Sequence, residues 1–422
     1  MERLARSTLV RLILPALFLA AHLLVLGALA QERFGRPFNS APGREPSFAN
    51  PASDAVPAHW QRLIVSRWDS QHYITLALRG YEYCAPREAL GPQRFADSDV
   101  VCQVSFFPGY ALLGAGLRWL SGAPVDYALF AISLLASYLA MFLWTSKEMQ
   151  NSLGTANTYL SLLLLNTFTT GYSFVALQTE SCALFLTIAA FVALERRYFA
   201  IGAACAGAAS LVRPTGVAIG LAFALALFVV SWRERARIRT WLWRGTLMLV
   251  SGWGLIGFLS FCYVRFGDAL IYSHARTRYY HYTPDPLALL APKYTWISQS
   301  IWAAPNEGVW LAAGLLFFAL GHRRALSGFK THSRVYWYAV FVLAVGIAAA
   351  GQVQIGFSGM SRYLLLALPL FFATAAALKR RPLALALWVV FSCVHYWSVN
   401  ACFYIGRGEP DFWRICHCQP GA

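Results

Sequence analysis

Residues 12–30 read LILPALFLAAHLLVLGALA and follow Arg3, Arg6 and Arg11. Wound as a helix, a run of this length crosses a hydrocarbon layer of about 30 Å. Ala28-Leu29-Ala30 before Gln31 resembles a signal-peptidase site. The run is nevertheless longer than the apolar part of an ordinary secretion signal, so it is read as an uncleaved first helix. Its leading arginines orient it with the N-terminus inside the cell.

Further along the chain the same alternation recurs. Apolar runs fall near 9–31, 125–146, 155–174, 178–194, 199–212, 215–232, 242–264, 304–321, 335–351, 363–378 and 383–404. Basic residues sit at alternate gaps: the N-terminus, Lys147, Arg196-Arg197, Arg233 to Arg244, Arg323-Arg324 to Arg334, and Lys379-Arg380-Arg381. With all of these on the cytoplasmic side, about eleven spans follow. The opposite side then receives a long loop, 32–124, a second loop, 265–303, and a short turn, 352–362. Phe107–Leu120 would break the alternation as a full span. It is read as a short re-entrant or interfacial helix entered through Pro108. The Pro/Gly/Ser-rich stretch 35–57 is a flexible lead-in to the long loop.

Composition agrees. Of 422 residues, 58% are hydrophobic and only 13% charged, against about 25% charged in a soluble domain. Too little charge remains to cover a water-facing surface, which excludes a soluble globular chain. The net charge of +16 lies in short clusters between apolar runs, not along one soluble face. It serves orientation in a membrane, and no nucleic-acid partner is expected. The expected fold is an all-α polytopic membrane protein, a single domain over 1–422 whose first outer loop contains interfacial helices.

The nine cysteines add little chemistry. Cys182, Cys205, Cys262 and Cys393 lie in apolar runs and read as buried thiols. Cys84 and Cys102 share the long loop and could pair in an oxidising compartment. Cys416-His417-Cys418 is a poor zinc chelate without further ligands.

The candidate chemistry sits near the middle of the loop 32–124. Arg67-Trp68-Asp69-Ser70-Gln71-His72-Tyr73 leads into Ile74 to Arg79 and then Gly80-Tyr81. Apolar residues at 68, 73, 76 and 77 predict a helix lying in the membrane surface. Asp69 and His72 are three apart and share a helix face. An acid beside an imidazole at the lipid–water boundary can take a proton from a hydroxyl. The plainer alternative is an N-cap aspartate.

Three further segments carry polar groups at the outer ends of spans. Gln178-Thr179-Glu180-Ser181 places a carboxylate where it either lines a cavity or complements a helix dipole. Arg213-Pro214-Thr215-Gly216 interrupts an apolar region, and Arg213 either holds a lipid phosphate or snorkels to the interface. Ser361-Arg362-Tyr363 places another arginine. The loop 265–303 adds His274, Arg276, Arg278, His281, Asp285 and Lys293, which suit a lipid headgroup or an ordinary interfacial belt.

Taken in order, these segments resemble the PIG-V family of mannosyltransferases, part of the GT-C class of polytopic glycosyltransferases. The matching elements are Trp68-Asp69, His72-Tyr73, Gly80-Tyr81, Phe106-Phe107-Pro108, Thr179-Glu180-Ser181 and Arg213-Pro214-Thr215-Gly216. The likeness covers about 60–220 and thins beyond. The chain departs from the pattern at Ala111, where many members have proline, and in the inserted stretch Cys84 to Cys102.

The resemblance implies a GT-C bundle and an inverting transfer of a hexose, mannose first, from a polyprenyl-phosphate donor to a lipid-linked or other acceptor. It implies Asp69 as the base, with His72 orienting Asp69 or touching the sugar. Trp68, Glu180, Arg213, Arg362, Arg276 and Arg278 become substrate-binding candidates. No metal ligand set is expected, although Asp69 with Glu180 could hold a divalent ion loosely. The resemblance implies a site on the outer face; the expected membrane is a bacterial inner membrane, because the chain is compact and shows no ER-retrieval tail. Transfer of another lipid-linked sugar, or a lipid or sugar transporter, are the alternatives.

Overall fold

The computed structural model describes residues 8–34, 69–81, 103–168, 170–279, 305–352 and 360–405. Trp68, the cysteine pair Cys84 and Cys102, residues 35–57, the loop residues His281, Asp285 and Lys293, and Cys416-His417-Cys418 lie outside them. The described residues form seventeen α-helices, two short 3-10 turns and no strand.

Among the described residues, three helices are long and apolar enough to cross a membrane: α1 (Thr8–Phe34) over Thr8–Ala28, α4 (Val125–Trp144) and α9 (Gly216–Arg233). Helices α10 (Ile238–Val250) and α11 (Trp253–Phe266) make a fourth if the bent pair is counted as one span. The outward faces are oily, with Leu17, Leu24, Leu135, Leu221 and Val264 all exposed. An apolar face of this extent needs something other than water to cover it.

Between α1 and α4 lie α2 (Ser70–Arg79) and α3 (Gly109–Ser121). At 1.5 Å per residue α3 is about 20 Å long, short of the hydrocarbon thickness. Its start is buried at Gly109, Tyr110 and Ala111, whereas Trp119 and Leu120 near its end are exposed. The short helix expected after Pro108 is therefore present. Its first residue presses on the end of α8 (Phe199–Val212): a Cβ on Gly109 would lie 2.8 Å from the carbonyl oxygen of Leu211.

The remaining helices are α5 (Lys147–Leu153), α6 (Thr155–Asn166), α7 (Glu180–Glu195), α12 (Ile271–Tyr279), α13 (Pro305–Leu326), α14 (Thr331–Gln352), α15 (Met360–Leu364), α16 (Pro369–Leu378) and α17 (Pro382–Ile405). Helix α7 is the axis. It packs against α4, α8, α9 and α14, and most of its length from Glu180 to Leu194 is buried. Around it the core holds Trp144, Trp337, Tyr336, Phe191, Phe223 and Phe372. The first helix is tied in by His22, which bonds Tyr396 at 2.8 Å and Asn166 at 3.3 Å.

Three expected spans are interrupted, each for a visible reason. The run 155–174 is helical only to Asn166. There the Asn166 and Thr167 side chains also donate to the Leu162 and Leu163 carbonyls, and the next amide, of Phe168, turns to the Leu165 carbonyl, tightening the last turn. The described residues from there to Thr179 form short turns and are mostly buried, and Ser137 and Ser181 donate to carbonyls at Phe174 and Ser173. Such backbone is tolerated at depth only when protein groups satisfy it. The run 242–264 bends by 54° between α10 and α11. At the bend the Ser251 hydroxyl donates to the Gly220 carbonyl, and the Trp253 indole donates to the Ala204 carbonyl. The run 363–378 splits into α15 and α16 around a buried turn at 365–368, because Pro369 has no N–H to carry the ladder of α15 into α16.

Candidate functional site

Asp69 sits at the N-terminal end of α2 with helical dihedrals, φ −61° and ψ −15°, and makes no side-chain cap. Its Oδ2 instead accepts a hydrogen bond from Arg362 Nη1 at 3.0 Å. The plain capping reading therefore fails, although the helix dipole still favours a carboxylate there. The helix is held by its apolar face. Tyr73 and Leu76 are buried, and the Tyr73 ring meets Phe106 and Tyr110 edge-on. Burial pushes the Tyr73 phenol far up from its ordinary value, so it stays protonated, hydrogen-bonded to Thr179.

The aromatic motifs build the scaffold around this helix. Tyr81 donates to the Phe106 carbonyl at 2.7 Å, fixing the end of α2 to the start of α3. Phe107 packs on Phe258 and Tyr272. His72 stacks on Phe106 with centroids 4.3 Å apart. Burial holds the His72 imidazole below its usual value, against the opposing pull of Asp69.

Glu180 begins α7 and is fully buried. Its Oε1 accepts from Arg362 Nε at 2.9 Å, and Arg362 Nη2 is equally close. Arg213 Nη1 lies 3.2 Å from the same oxygen. Arg213 has extended backbone after the last turn of α8 and is 5% exposed, with its guanidinium 4.9 Å over the Tyr363 ring. It is therefore buried and paired, which excludes the snorkelling alternative. The Arg213-Pro214-Thr215 break is tight: a Cβ on Gly216 would meet the Ala209 carbonyl oxygen at 1.8 Å, so only glycine lets the chain fold back here.

Four chain segments thus bring Asp69, Glu180, Arg213 and Arg362 together. Arg362 stands between the carboxylates, its own side chain 12% exposed, with Asp69 at 36% on the open side and Glu180 at 0% on the closed side. Two carboxylates and two guanidiniums make the set formally neutral, and it can hold an anion where Arg362 now holds Asp69. The guanidinium also occupies the space where Asp69 and Glu180 would share a cation. Among the described residues no group of three or more His, Cys, Asp or Glu gathers that could hold a metal.

The remaining candidates add nothing to this cluster among the described residues. Arg276 and Arg278 belong to α12, and their side chains lie outside the described residues. His274 of the same helix is exposed and bonds Asp268 at 2.7 Å. Sequence reasoning gave Tyr73 only a place on the apolar face of its helix and in the His72-Tyr73 element, and assigned no role to Tyr363 or Gln178. Tyr363 could have been suspected from its place beside Arg362. Gln178 is fully buried with its amide unpartnered, which no sequence signal announces. No protein-family model matches this sequence, and no curated protein matches it.

Proposed function

We propose that this chain is an inverting glycosyltransferase of the GT-C kind. It moves a hexose, with mannose as first candidate, from a polyprenyl-phosphate donor to a hydroxyl of a lipid-linked or other extracytoplasmic acceptor. The observation that carries this reading is the convergence of a half-exposed carboxylate, Asp69, with two arginines and a buried acid at one end of the bundle. The likeness of the ordered motifs to the PIG-V family supports it. The reading includes about eleven spans, the basic gaps facing the cytoplasm, and the cluster facing the periplasmic side of a bacterial inner membrane.

In the proposed step the acceptor oxygen attacks the anomeric carbon and forms the new glycosidic bond. The bond from that carbon to the donor phosphate oxygen breaks, and its electron pair leaves with polyprenyl phosphate. The acceptor proton passes to Asp69. Negative charge thereby moves from Asp69 to the phosphate, and Arg362, already 3.0 Å from Asp69, can follow it. Fixed cations aimed at a developing charge in a dry site are among the strongest catalytic devices. His72, neutral through burial, packs beside this base as a positioning group. A transporter would be expected to carry its charged groups near the bilayer midplane. Here they gather at the ends of helices.

The test is transfer by purified protein in nanodiscs. Labelled polyprenyl-phosphate mannose and labelled GDP-mannose are offered separately with a mixed lipid extract, for wild type and Asp69→Asn. Transfer from the lipid donor alone, lost in the variant, is expected. Transfer from the nucleotide sugar would move the site to the cytoplasm and overturn the topology. Full activity in Asp69→Asn would remove Asp69 as base.

A further inference from the structure

Ten buried side-chain nitrogen or oxygen atoms among the described residues make no hydrogen bond. Five of them fall in two short segments: Gln178 Nε2 and Oε1, Glu180 Oε2, Arg213 Nη1 and Thr215 Oγ1. The segments meet where Arg213 Nη1 approaches Glu180 Oε1 to 3.2 Å without a hydrogen bond forming. Gln178 is 0% exposed and Thr215 1%. Buried polar groups are almost always paired, because each orphan forfeits its hydration. Half of the described orphans in two three-residue stretches therefore marks a place built for a polar ligand.

The kinds of atom say which ligand. An amide offers two donors and an acceptor, a threonine hydroxyl one donor and an acceptor, the free carboxylate oxygen an acceptor, and the guanidinium nitrogen a donor. A phosphate has only acceptors to offer and would face the Glu180 oxygen and the Gln178 carbonyl unpaired. A metal ion would leave the amide and guanidinium donors unused. A group that donates and accepts at every position satisfies the whole set, and a sugar ring with its hydroxyls is such a group.

We propose that the space between residues 178–180 and 213–215 takes the ring hydroxyls of the transferred sugar, and that Gln178 sets which sugar is accepted. This rests on the glycosyltransferase reading and deepens it. Arg362 stands between the half-exposed Asp69 and the buried Glu180, so on this proposal the sugar enters as Arg362 turns from Glu180 toward the donor phosphate. A site built to hydrogen-bond a hydroxyl discriminates strongly against a sugar that lacks it or points it elsewhere.

The experiment uses the full chain in nanodiscs with polyprenyl phosphate carrying mannose, glucose or galactose, and polyprenyl phosphate alone. Transfer rates and thermal unfolding shifts are read for wild type, Gln178→Met and Thr215→Val. Wild type is expected to favour one sugar. Gln178→Met is expected to lose roughly 10- to 100-fold in kcat/KM for that sugar, and its ratio between sugars should fall toward one. Polyprenyl phosphate alone should stabilise both proteins equally, since it makes no use of the pocket. An unchanged sugar ratio in Gln178→Met, with wild type active, would overturn the subsite and leave the transferase reading standing. If Gln178→Met loses its unfolding transition, Thr215→Val reads the same pocket, and an unchanged ratio there overturns the proposal. A wild type that neither transfers nor is stabilised by any lipid-linked sugar overturns the transferase reading and the subsite with it.

Discussion

The two ends of α7 both carry a glutamate, and the two are treated very differently. At its last residue, Glu195 bonds Ser333, meets Lys330 at 2.9 Å and has His332 at 3.6 Å. Nearby, Glu148 pairs with Arg196, and Glu234 with Arg197 and Arg244. Most of these cations reach into the open: Lys330 and Arg197 are each 64% exposed. At its first residue, about 22 Å away by helix rise, Glu180 is enclosed and its arginines are enclosed with it. One oxygen of Glu180 stays unpaired, whereas the Glu195 end lacks any orphaned atom among its acids and their cationic partners. Pairs whose cation reaches into solvent tie gaps together at little gain, even where the carboxylate, as at Glu195, is itself only 7% exposed. A buried, half-satisfied cluster costs stability, and a fold keeps such a cluster where a ligand completes it.

The largest effect should come from Glu180→Gln. The change strips the shared counter-charge from Arg213 and Arg362 and leaves both buried. A loss of roughly 3–5 kcal/mol is expected, read as a fall in the thermal unfolding midpoint in nanodiscs. A loss below about 1 kcal/mol would mean that water already satisfies the arginines, and the contrast between the two ends would disappear. Asp69→Asn comes next and separates the two properties of the cluster. Asp69 lies on the open side, so its stability cost should stay below about 1 kcal/mol. Transfer should fall by roughly 10²- to 10⁴-fold, the usual range for a lost general base. A variant that fell equally in stability and activity would make Asp69 a strut.

The sequence made the two ends legible to different degrees. Basic gaps announce the Glu195 end directly, because Arg196-Arg197, Arg233 to Arg244 and Arg334 interrupt long apolar runs. The Glu180 end was legible only as separate motifs. Asp69 and Arg362 are 293 positions apart, and no local periodicity says that one guanidinium bonds both Asp69 and Glu180. The helices themselves followed from apolar runs, with 199–212 and 215–232 matching α8 and α9 almost to the residue. The runs 155–174 and 242–264 were drawn unbroken because hydropathy is blind to the serine, threonine and asparagine side chains that bond the backbone at their breaks, and 363–378 was drawn unbroken because its apolar run passes straight through Pro369. Gln178 was invisible for the opposite reason: a buried orphan is defined by what fails to approach it, and only the packed structure reveals that.

A smaller effect belongs to His72. Burial lowers its affinity for a proton in the folded chain, so the unfolded chain binds the proton more readily. Stability is therefore complete above the unfolded value of about 6.5 and declines as pH falls below it. His72→Gln should flatten that decline between about pH 7 and pH 5, measured as the unfolding midpoint against pH for both proteins. Parallel curves would place the acid sensitivity elsewhere.

The smallest expected effect is Lys330→Ala at the other end of α7. Glu195 would keep Ser333 and His332, and the lost cation is mostly in solvent. Its removal should shift stability by no more than about 0.5 kcal/mol. The shift should vanish in about 1 M salt, where the screening length is only ~3 Å. Glu180→Gln should keep its full cost in the same salt, because ions do not reach an enclosed pair. A Lys330→Ala cost that persisted in salt would mean that the Glu195 end is also closed to solvent. The difference between the ends would then come from the unpaired atoms around Glu180 alone, and burial would no longer distinguish them.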